Sequence, residues 1–332
     1  MRGKQPRARE PMPDSRREFV KAAAGLGLAA SAVAADPIPR RKLGKTGLEV
    51  TIVGLGGARV GTHRDEAEAL RTIRHSYESG INYFDSAAAG AYGLSQRRYG
   101  IAMEGVPRDR IIYGTKTRNR TYSHCELDLI QSLAGLRTDY IDLYQIHNVM
   151  HMEDIDQIFA PRGAMELVER AKRDGKVRHV GFTGHMDPRV LVKMLGAYDW
   201  DTVLMPLSVT DGANKHLSFE RTTLPKAVDK GLGVMAMKTT GVGVLHEKGI
   251  SSLEENLNYV WSLPISTAIL GCSSPDQVDR DLMAARAHRR LDEAKMSALR
   301  SKWAGSDFAA LESWKVDQGA TLASSGPRYF GD

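Results

Sequence analysis

Eight short apolar runs, each followed by a stretch of helical periodicity, recur between residues 51 and 287. The runs are Thr51–Gly54, Ile81–Phe84, Ile111–Gly114, Ile141–Ile146, Val177–Phe182, Thr202–Met205, Gly233–Ala236 and Ser266–Leu270. The helical stretches are Arg64–Ser79, Ser95–Met103, Ser123–Leu136, Gly163–Asp174, Pro188–Leu195, Leu224–Lys230, Leu253–Ser262 and Pro275–Ala287. Continuous apolar strands separated by helices predict a parallel sheet covered on both faces. Eight such units over roughly 240 residues have the size of a (β/α)8 TIM barrel. A doubly wound open sheet is the other arrangement of the same units. It is disfavoured because Gly54-Leu55-Gly56-Gly57 after the first run does not fit the GxGxxG fingerprint. Residues 40–50, RRKLGKTGLEV, predict a short N-terminal hairpin turning at Lys45-Thr46-Gly47. No low-complexity linker divides the chain, so residues 36–332 read as one domain. One further helix, Asp292–Trp303, and a polar tail form a C-terminal extension that would cover a barrel mouth or stay mobile.

The formal charge of +6 is unevenly placed. Residues 1–35 carry seven Lys/Arg and three acids, which leaves only +2 for the rest. So small a charge is not the footprint of a nucleic-acid-binding protein. The same segment reads SRREFVK at residues 15–21, then an apolar run from Ala22 to Ala35 ending in Ala32-Val33-Ala34. The run is too short to span a bilayer, and the small-x-small ending is a cleavage pattern. Paired Arg16-Arg17 ahead of it resemble a bacterial twin-arginine export signal. The expectation is a mature protein that begins near Ala35 or Asp36 and has no membrane span. The twin-arginine translocase would be its export partner, and its location periplasmic or otherwise exported. The two cysteines, Cys125 and Cys272, lie far apart with no CxxC or Cys/His cluster, so the expectation is two buried thiols and no metal site.

In a barrel, function gathers at the C-terminal ends of the strands. Asp85 ends the second run, and Tyr92 follows in the loop SAAAGAY. IIYGTK ends the third with Lys116, and DLYQIH ends the fourth with His147. Each alone has an ordinary structural role open to it; four ionisable groups on three consecutive strand ends form a constellation. A phenol is a weak acid with a pKa of ~10. A nearby ammonium is expected to lower it, and a carboxylate would hold the ammonium charged and in place. A histidine on the next strand would orient a carbonyl. The set suits protonation of an alkoxide as hydride arrives at carbon. It offers neither paired carboxylates for glycoside hydrolysis nor a nucleophile elbow.

These motifs resemble the aldo-keto reductases over nearly all of residues 40–290. The stretches that carry the likeness are RRKLGKTGLEV, YFDSA with YGLSQRRYG, GTK, SLAGLRTDYIDLYQIH, GKVRHVGFTGH, AMKTTGVGVL and AILGCSSPDQV. The resemblance implies a tetrad of Asp85, Tyr92, Lys116 and His147, with Tyr92 as general acid. It implies reversible hydride transfer between a nicotinamide nucleotide and an aldehyde or ketone, or the corresponding alcohol, including sugars. Between Asp85 and Tyr92 the loop is two residues longer than is common in the family. Where relatives carry Ser-Asn for the nicotinamide carboxamide, this chain has Thr183, Gly184 and His185. Thr183 keeps the hydroxyl, and His185 is either a stand-in for the Asn or a loop histidine. Met237 falls where many relatives place an aromatic against the nicotinamide, and Lys238 beside it faces the phosphates. Gly241, Gly243 and Leu245 match the loop that wraps the pyrophosphate. Ser273, Ser274, Gln277, Arg280 and Asp281 match the 2′-phosphate region. The family points to NADP; the missing basic residue before Ser274, and Asp281 in the usual Asn place, leave NAD open.

Export adds a further expectation, because free nicotinamide nucleotide is scarce outside the cytoplasm. A nucleotide carried out inside the folded protein would suit a redox-neutral enzyme that oxidises and re-reduces one substrate. A non-catalytic nucleotide-binding sensor is a third possibility, against which the complete tetrad counts.

Overall fold

The computed structural model describes residues 36–315. The twin-arginine segment therefore lies outside the described residues, as do residues 316–332 of the tail.

A two-stranded antiparallel hairpin comes first, β1 (Arg40–Lys42) and β2 (Glu49–Thr51). Its turn runs through left-handed Gly44 and Gly47. At Gly44 a Cβ would come within 2.1 Å of the Gly233 backbone nitrogen, so only glycine lets the hairpin press against the barrel. The eight parallel strands that follow are β3 (Val53–Gly56), β4 (Tyr83–Asp85), β5 (Ile112–Thr117), β6 (Ile141–Ile146), β7 (Val177–Thr183), β8 (Thr202–Pro206), β9 (Gly233–Met237) and β10 (Thr267–Leu270). They form a closed barrel in which β10 pairs with both β3 and β9. The expected (β/α)8 fold is therefore found, and the open sheet is excluded by the β10–β3 pairing.

Two apolar layers hold it. Inside the barrel, Tyr83, Ile112, Leu143, Leu204, Met235 and Met237 pack with Leu43 and Val50 of the hairpin. Outside, the other face of each strand meets the surrounding helices in a much larger cluster that includes Trp200, Trp261 and Trp303. Strands buried on both faces explain why the runs read as continuous rather than alternating. Helix starts are fixed by local chemistry. Asp65, Asp187, Ser252 and Ser274 each accept a backbone N–H from the first turn that follows. Pro188 and Pro275 open their helices where no N–H partner is needed.

The structure departs from the expected boundaries in two ways. Thr51 belongs to the hairpin, and the first barrel strand begins at Val53, because the chain crosses at Ile52 from one sheet to the other. Several strands run on at their C-terminal ends, to Asp85, Thr117, Thr183 and Met237, and so carry the polar residues of the rim. Short helices at Gly57–Thr62, Ala89–Tyr92, Met152–Phe159 and Val209–Ala213 lie in stretches read as loops.

After the helix Glu293–Lys302, the extension continues through Phe308–Leu311 and a turn at Ser313–Lys315. It is pinned by a buried cluster. The Lys315 ammonium donates to Asp211 Oδ1 at 2.6 Å, Glu312 Oε2 at 2.8 Å and the Leu217 carbonyl at 2.8 Å. Among the described residues no helix is long and apolar enough to cross a membrane.

Candidate active site

β4 and β5 are neighbours in register, with Asp85 opposite Gly114. Two residues further along β5, on the same face, stands Lys116. Its ammonium donates to Asp85 Oδ1 at 2.7 Å, Asp85 Oδ2 at 2.6 Å and the Ser86 carbonyl at 2.8 Å. Both side chains are buried. Burial pushes the Asp85 carboxyl up and the Lys116 ammonium down, and each charge pulls the other back. Three acceptors around one nitrogen fit an ammonium, which has three protons, and not a neutral amine. Gly114 makes this packing possible: a Cβ there would lie 2.1 Å from the Tyr83 hydroxyl.

Tyr92 ends the one-turn helix Ala89–Tyr92. The loop before it is tied to β5 by the Ala88 N–H, which donates to the Lys116 carbonyl at 3.2 Å. The Lys116 nitrogen lies 4.8 Å from the centre of the Tyr92 ring. On its other side Tyr92 meets the His147 ring edge-to-face, with centroids 6.0 Å apart. The loop after Asp85 thus closes in a helical turn, and Tyr92 stands near both Lys116 and His147. One expectation is reversed. The Tyr92 phenol is pushed above its ordinary value by burial and by the Asp85 charge. Burial and the Asp85 charge outweigh the pull of the Lys116 ammonium, whose three hydrogen bonds go to Asp85 and Ser86.

His147 follows β6, and its backbone N–H donates to the Thr117 carbonyl at 2.8 Å. Its Nδ1 is 2.9 Å from Thr183 Oγ1 at the end of β7. His185 packs edge-to-face against it, centroids 5.6 Å apart. Both imidazoles are held well below the usual histidine range. Burial is the main cause for each. Around His147 the charged neighbours are Lys116, Arg118 and Arg120, with the His185 ring also close. Around His185 they are Lys238, Lys116 and Arg118. His185 is thus a member of the cluster at the mouth rather than a peripheral loop residue. At Gly184 a Cβ would fall 2.8 Å from the Val149 carbonyl oxygen, so this glycine lets β7 approach the segment after His147.

The remaining rim residues fall on the ends of β9 and β10. Met237 is buried and packs into the barrel interior with Met235 and Leu204. Lys238 takes a left-handed backbone, and burial lowers its ammonium to about 8. Its nitrogen lies 4.7 Å from the Trp314 ring of the C-terminal extension, so the extension does reach this end of the barrel. Gly241, Val242 and Gly243 have φ of +60°, +60° and +99°. The turn closes on itself, the Gly241 N–H donating to the Lys238 carbonyl at 2.9 Å and the Gly243 N–H to the Thr240 carbonyl at 3.1 Å. The Leu245 side chain is buried beneath Gly241, and its N–H donates to the Thr240 carbonyl at 3.1 Å, so it anchors this turn.

At the start of the helix Pro275–Ala287, Ser274 Oγ accepts the Gln277 N–H at 3.4 Å, and Gln277 Oε1 accepts the Ser273 N–H at 2.7 Å. Arg280 is exposed. Asp281 is turned inward, where its Oδ2 accepts the Cys272 thiol at 3.3 Å. Burial raises its carboxyl to about 6. Both cysteines are free and buried, as expected. The Lys238 ammonium, the glycine turn after β9 and the start of the helix after β10 lie on neighbouring strand ends and bring cationic and N–H groups that suit phosphate.

Three contributors went unnoticed in the sequence. At Gly61 a Cβ would fall 2.0 Å from the Tyr92 carbonyl oxygen, so this glycine sets how closely the first helix approaches Tyr92. Arg120 donates to the carbonyls of His147 and Asn148, each at 3.1 Å, and pairs with Asp154 at 3.2 Å. Trp314 is the third. An arginine two residues beyond GTKTR was the only available hint for Arg120; the other two carry no local signal.

A closed parallel barrel with a buried ion pair and further ionisable groups at its C-terminal strand ends is an enzyme scaffold. The chain belongs to the aldo/keto reductase family, whose model matches residues 52–256, and is therefore an oxidoreductase of that family. It is 26% identical over 309 residues to an uncharacterised oxidoreductase, YqkF, of Bacillus subtilis, covering 79% of this chain and 95% of the relative. It is 29% identical over 224 residues to L-galactose dehydrogenase of Arabidopsis thaliana, covering 64% and 68%. The holo form of aldo-keto reductase AKR11C1 from Bacillus halodurans superposes with a TM-score of 0.68 at 26% identity, covering 80% of this chain and 96% of that one.

Proposed function

We propose that this protein transfers hydride between a nicotinamide nucleotide and an aldehyde or ketone, or the corresponding alcohol, with Tyr92 as the general acid. The observation that carries the reading is the buried Asp85–Lys116 ion pair set against the Tyr92 ring, with His147 on the ring's other side. When bound, the reduced nucleotide supplies the hydride. Lys238, the Gly241–Gly243 turn, Ser273 and Arg280 would hold its phosphates, with NADP favoured by family and NAD open. Arg280 is the cation that stretch would offer a 2′-phosphate, and Asp281 is turned inward to Cys272.

In reduction the substrate oxygen gains charge as its carbon accepts hydride. His147 and Tyr92 orient that oxygen by hydrogen bonds. The Tyr92 phenol gives up its proton, the carbonyl becomes an alcohol, and a phenolate remains. Lys116 stabilises that phenolate by its charge, and Asp85 keeps Lys116 protonated and in place. The Tyr92 phenol is protonated at neutral pH, as a general acid must be, and the Lys116 charge offsets part of the burial that weakens it as an acid. L-galactose dehydrogenase and a D-threo-aldose 1-dehydrogenase among the relatives agree with a sugar as one substrate class.

We place the working protein outside the cytoplasm on the strength of the twin-arginine pattern in residues 15–35. A reporter fused to residues 1–35 tests this: export that Arg16→Lys with Arg17→Lys abolishes is expected, and a reporter that stays cytoplasmic refutes it. The activity is tested by purifying residues 36–332 and following oxidation of NADPH and NADH against a panel of aldehydes, ketones and aldoses. Turnover with at least one carbonyl is expected. A protein that binds either nucleotide yet turns over nothing in both directions would instead be a sensor.

A further inference from the structure

We infer that Thr183 is a positioning residue that fixes the tautomer of His147, so that His147 presents an Nε2–H to the pocket. The inference rests on the reductase reading above and assigns Thr183 to the histidine rather than to the cofactor.

Thr183 is fully buried at the end of β7, and the segment after His147 wraps around it. Asn148 takes a left-handed backbone, φ +54°, which few residues other than glycine adopt without cost. That turn aims two successive N–H groups at one residue. Asn148 N–H donates to Thr183 Oγ1 at 2.9 Å, and Val149 N–H donates to the Thr183 carbonyl at 2.8 Å. Arg120 holds the turn from outside through the carbonyls of His147 and Asn148.

The proton count then decides the tautomer. A threonine hydroxyl donates once and accepts twice. Here Asn148 N–H occupies one acceptor position. The hydroxyl proton needs an acceptor, and among the described residues the remaining partner of Oγ1 is His147 Nδ1, at 2.9 Å. If Nδ1 carried the proton instead, a buried hydroxyl would be left without an acceptor, which is costly in a site shut off from water. A neutral imidazole offers one acceptor nitrogen, and this geometry places it at Nδ1. Neutrality is secured by burial and by the Lys116, Arg118 and Arg120 charges near the ring. The stiff χ1 of a β-branched side chain keeps the hydroxyl aimed. The single Nε2 proton is then available to a carbonyl oxygen.

The tautomer can be read directly. Protein labelled with 15N-histidine is examined by long-range 1H–15N correlation, with His147→Gln identifying the signal. The Nε2–H pattern is expected in the wild type and in Thr183→Ser, and its loss or mixing with Nδ1–H in Thr183→Val. In kinetics, Thr183→Val is expected to lower kcat about tenfold to a hundredfold with little change in KM, and Thr183→Ser to restore most of it. A wild type with Nδ1 protonated, or Thr183→Val with an unchanged Nε2–H pattern, overturns the inference. If Thr183→Val does not fold, the wild-type spectrum decides alone. The spectrum needs no turnover, so failure of the reductase reading and failure of this inference are told apart.

Discussion

The Lys116 ammonium stands 4.8 Å from the centre of the Tyr92 ring while all three of its hydrogen bonds go to Asp85 and Ser86. Lysine therefore acts on the tyrosine through charge alone, and in the resting site burial and the Asp85 charge outweigh it. The tyrosine is protonated at rest, and the Lys116 charge reduces the cost of forming its phenolate.

Lys116→Met is expected to lower kcat/KM by about 10²–10³, the range for removal of a group that stabilises transition-state charge. It also leaves the Asp85 carboxylate buried and unpaired, which costs about 3–5 kcal/mol. The double variant Asp85→Asn with Lys116→Met should recover much of that stability in urea denaturation and none of the activity. Equal stability of single and double variants would contradict the ion-pair account.

Gly61→Ala tests how Tyr92 is placed. The added methyl would meet the Tyr92 carbonyl oxygen at 2.0 Å, so the helix Gly57–Thr62 or the turn Ala89–Tyr92 must move. Overpacking of this kind costs about 1–3 kcal/mol. Activity is expected to fall while affinity for the nucleotide, measured by fluorescence titration, holds. Unchanged kcat would show that this contact does not set the position of Tyr92.

Asp281 gives a pH-dependent test. Burial raises its carboxyl from the ordinary carboxylate range to about 6 in the folded protein. A raised acid binds its proton more tightly when folded, so its contribution is complete below the unfolded pKa and is lost as pH rises through about 6. Asp281→Asn removes that loss and still accepts the Cys272 thiol. The variant is expected to be more stable than wild type by about 1–3 kcal/mol at pH 7.5, the advantage shrinking toward pH 4. A stability difference that does not vary with pH would contradict the assignment.

The barrel was legible because strands buried on both faces leave continuous apolar runs, and because the hairpin and most helices carry their own turn and cap residues. Asp85, Lys116 and His147 were legible because each ends such a run, so the fold itself brings them to one rim. What escaped depends on distance rather than order along the chain. Helices of four to six residues, such as Ala89–Tyr92 and Val209–Ala213, are too short to show a period of 3.6. The direction of the Tyr92 shift turned on its burial and on the Asp85 charge beside it, which no spacing reveals. The bond between His147 and Thr183 joins residues 36 apart, and the one between Lys315 and Asp211 joins residues 104 apart.

That last bond carries its own prediction. Lys315→Met leaves Asp211 and Glu312 buried together without their cation. The segment Phe308–Lys315 should loosen, and limited proteolysis should cut near Trp314 well before the barrel is attacked. Cleavage no faster than in wild type would show that the ion cluster does not hold the extension.

The central claim is that Tyr92 donates the proton that accompanies hydride transfer. Its most direct measurement is transfer of deuterium from nicotinamide nucleotide labelled at C4 to a carbonyl substrate, followed by mass spectrometry for wild type and Tyr92→Phe. The account predicts deuterium at the carbinol carbon in the wild type, and a rate reduced about 10²–10⁴-fold in Tyr92→Phe with nucleotide binding intact. Deuterium transfer at the wild-type rate in Tyr92→Phe would contradict it.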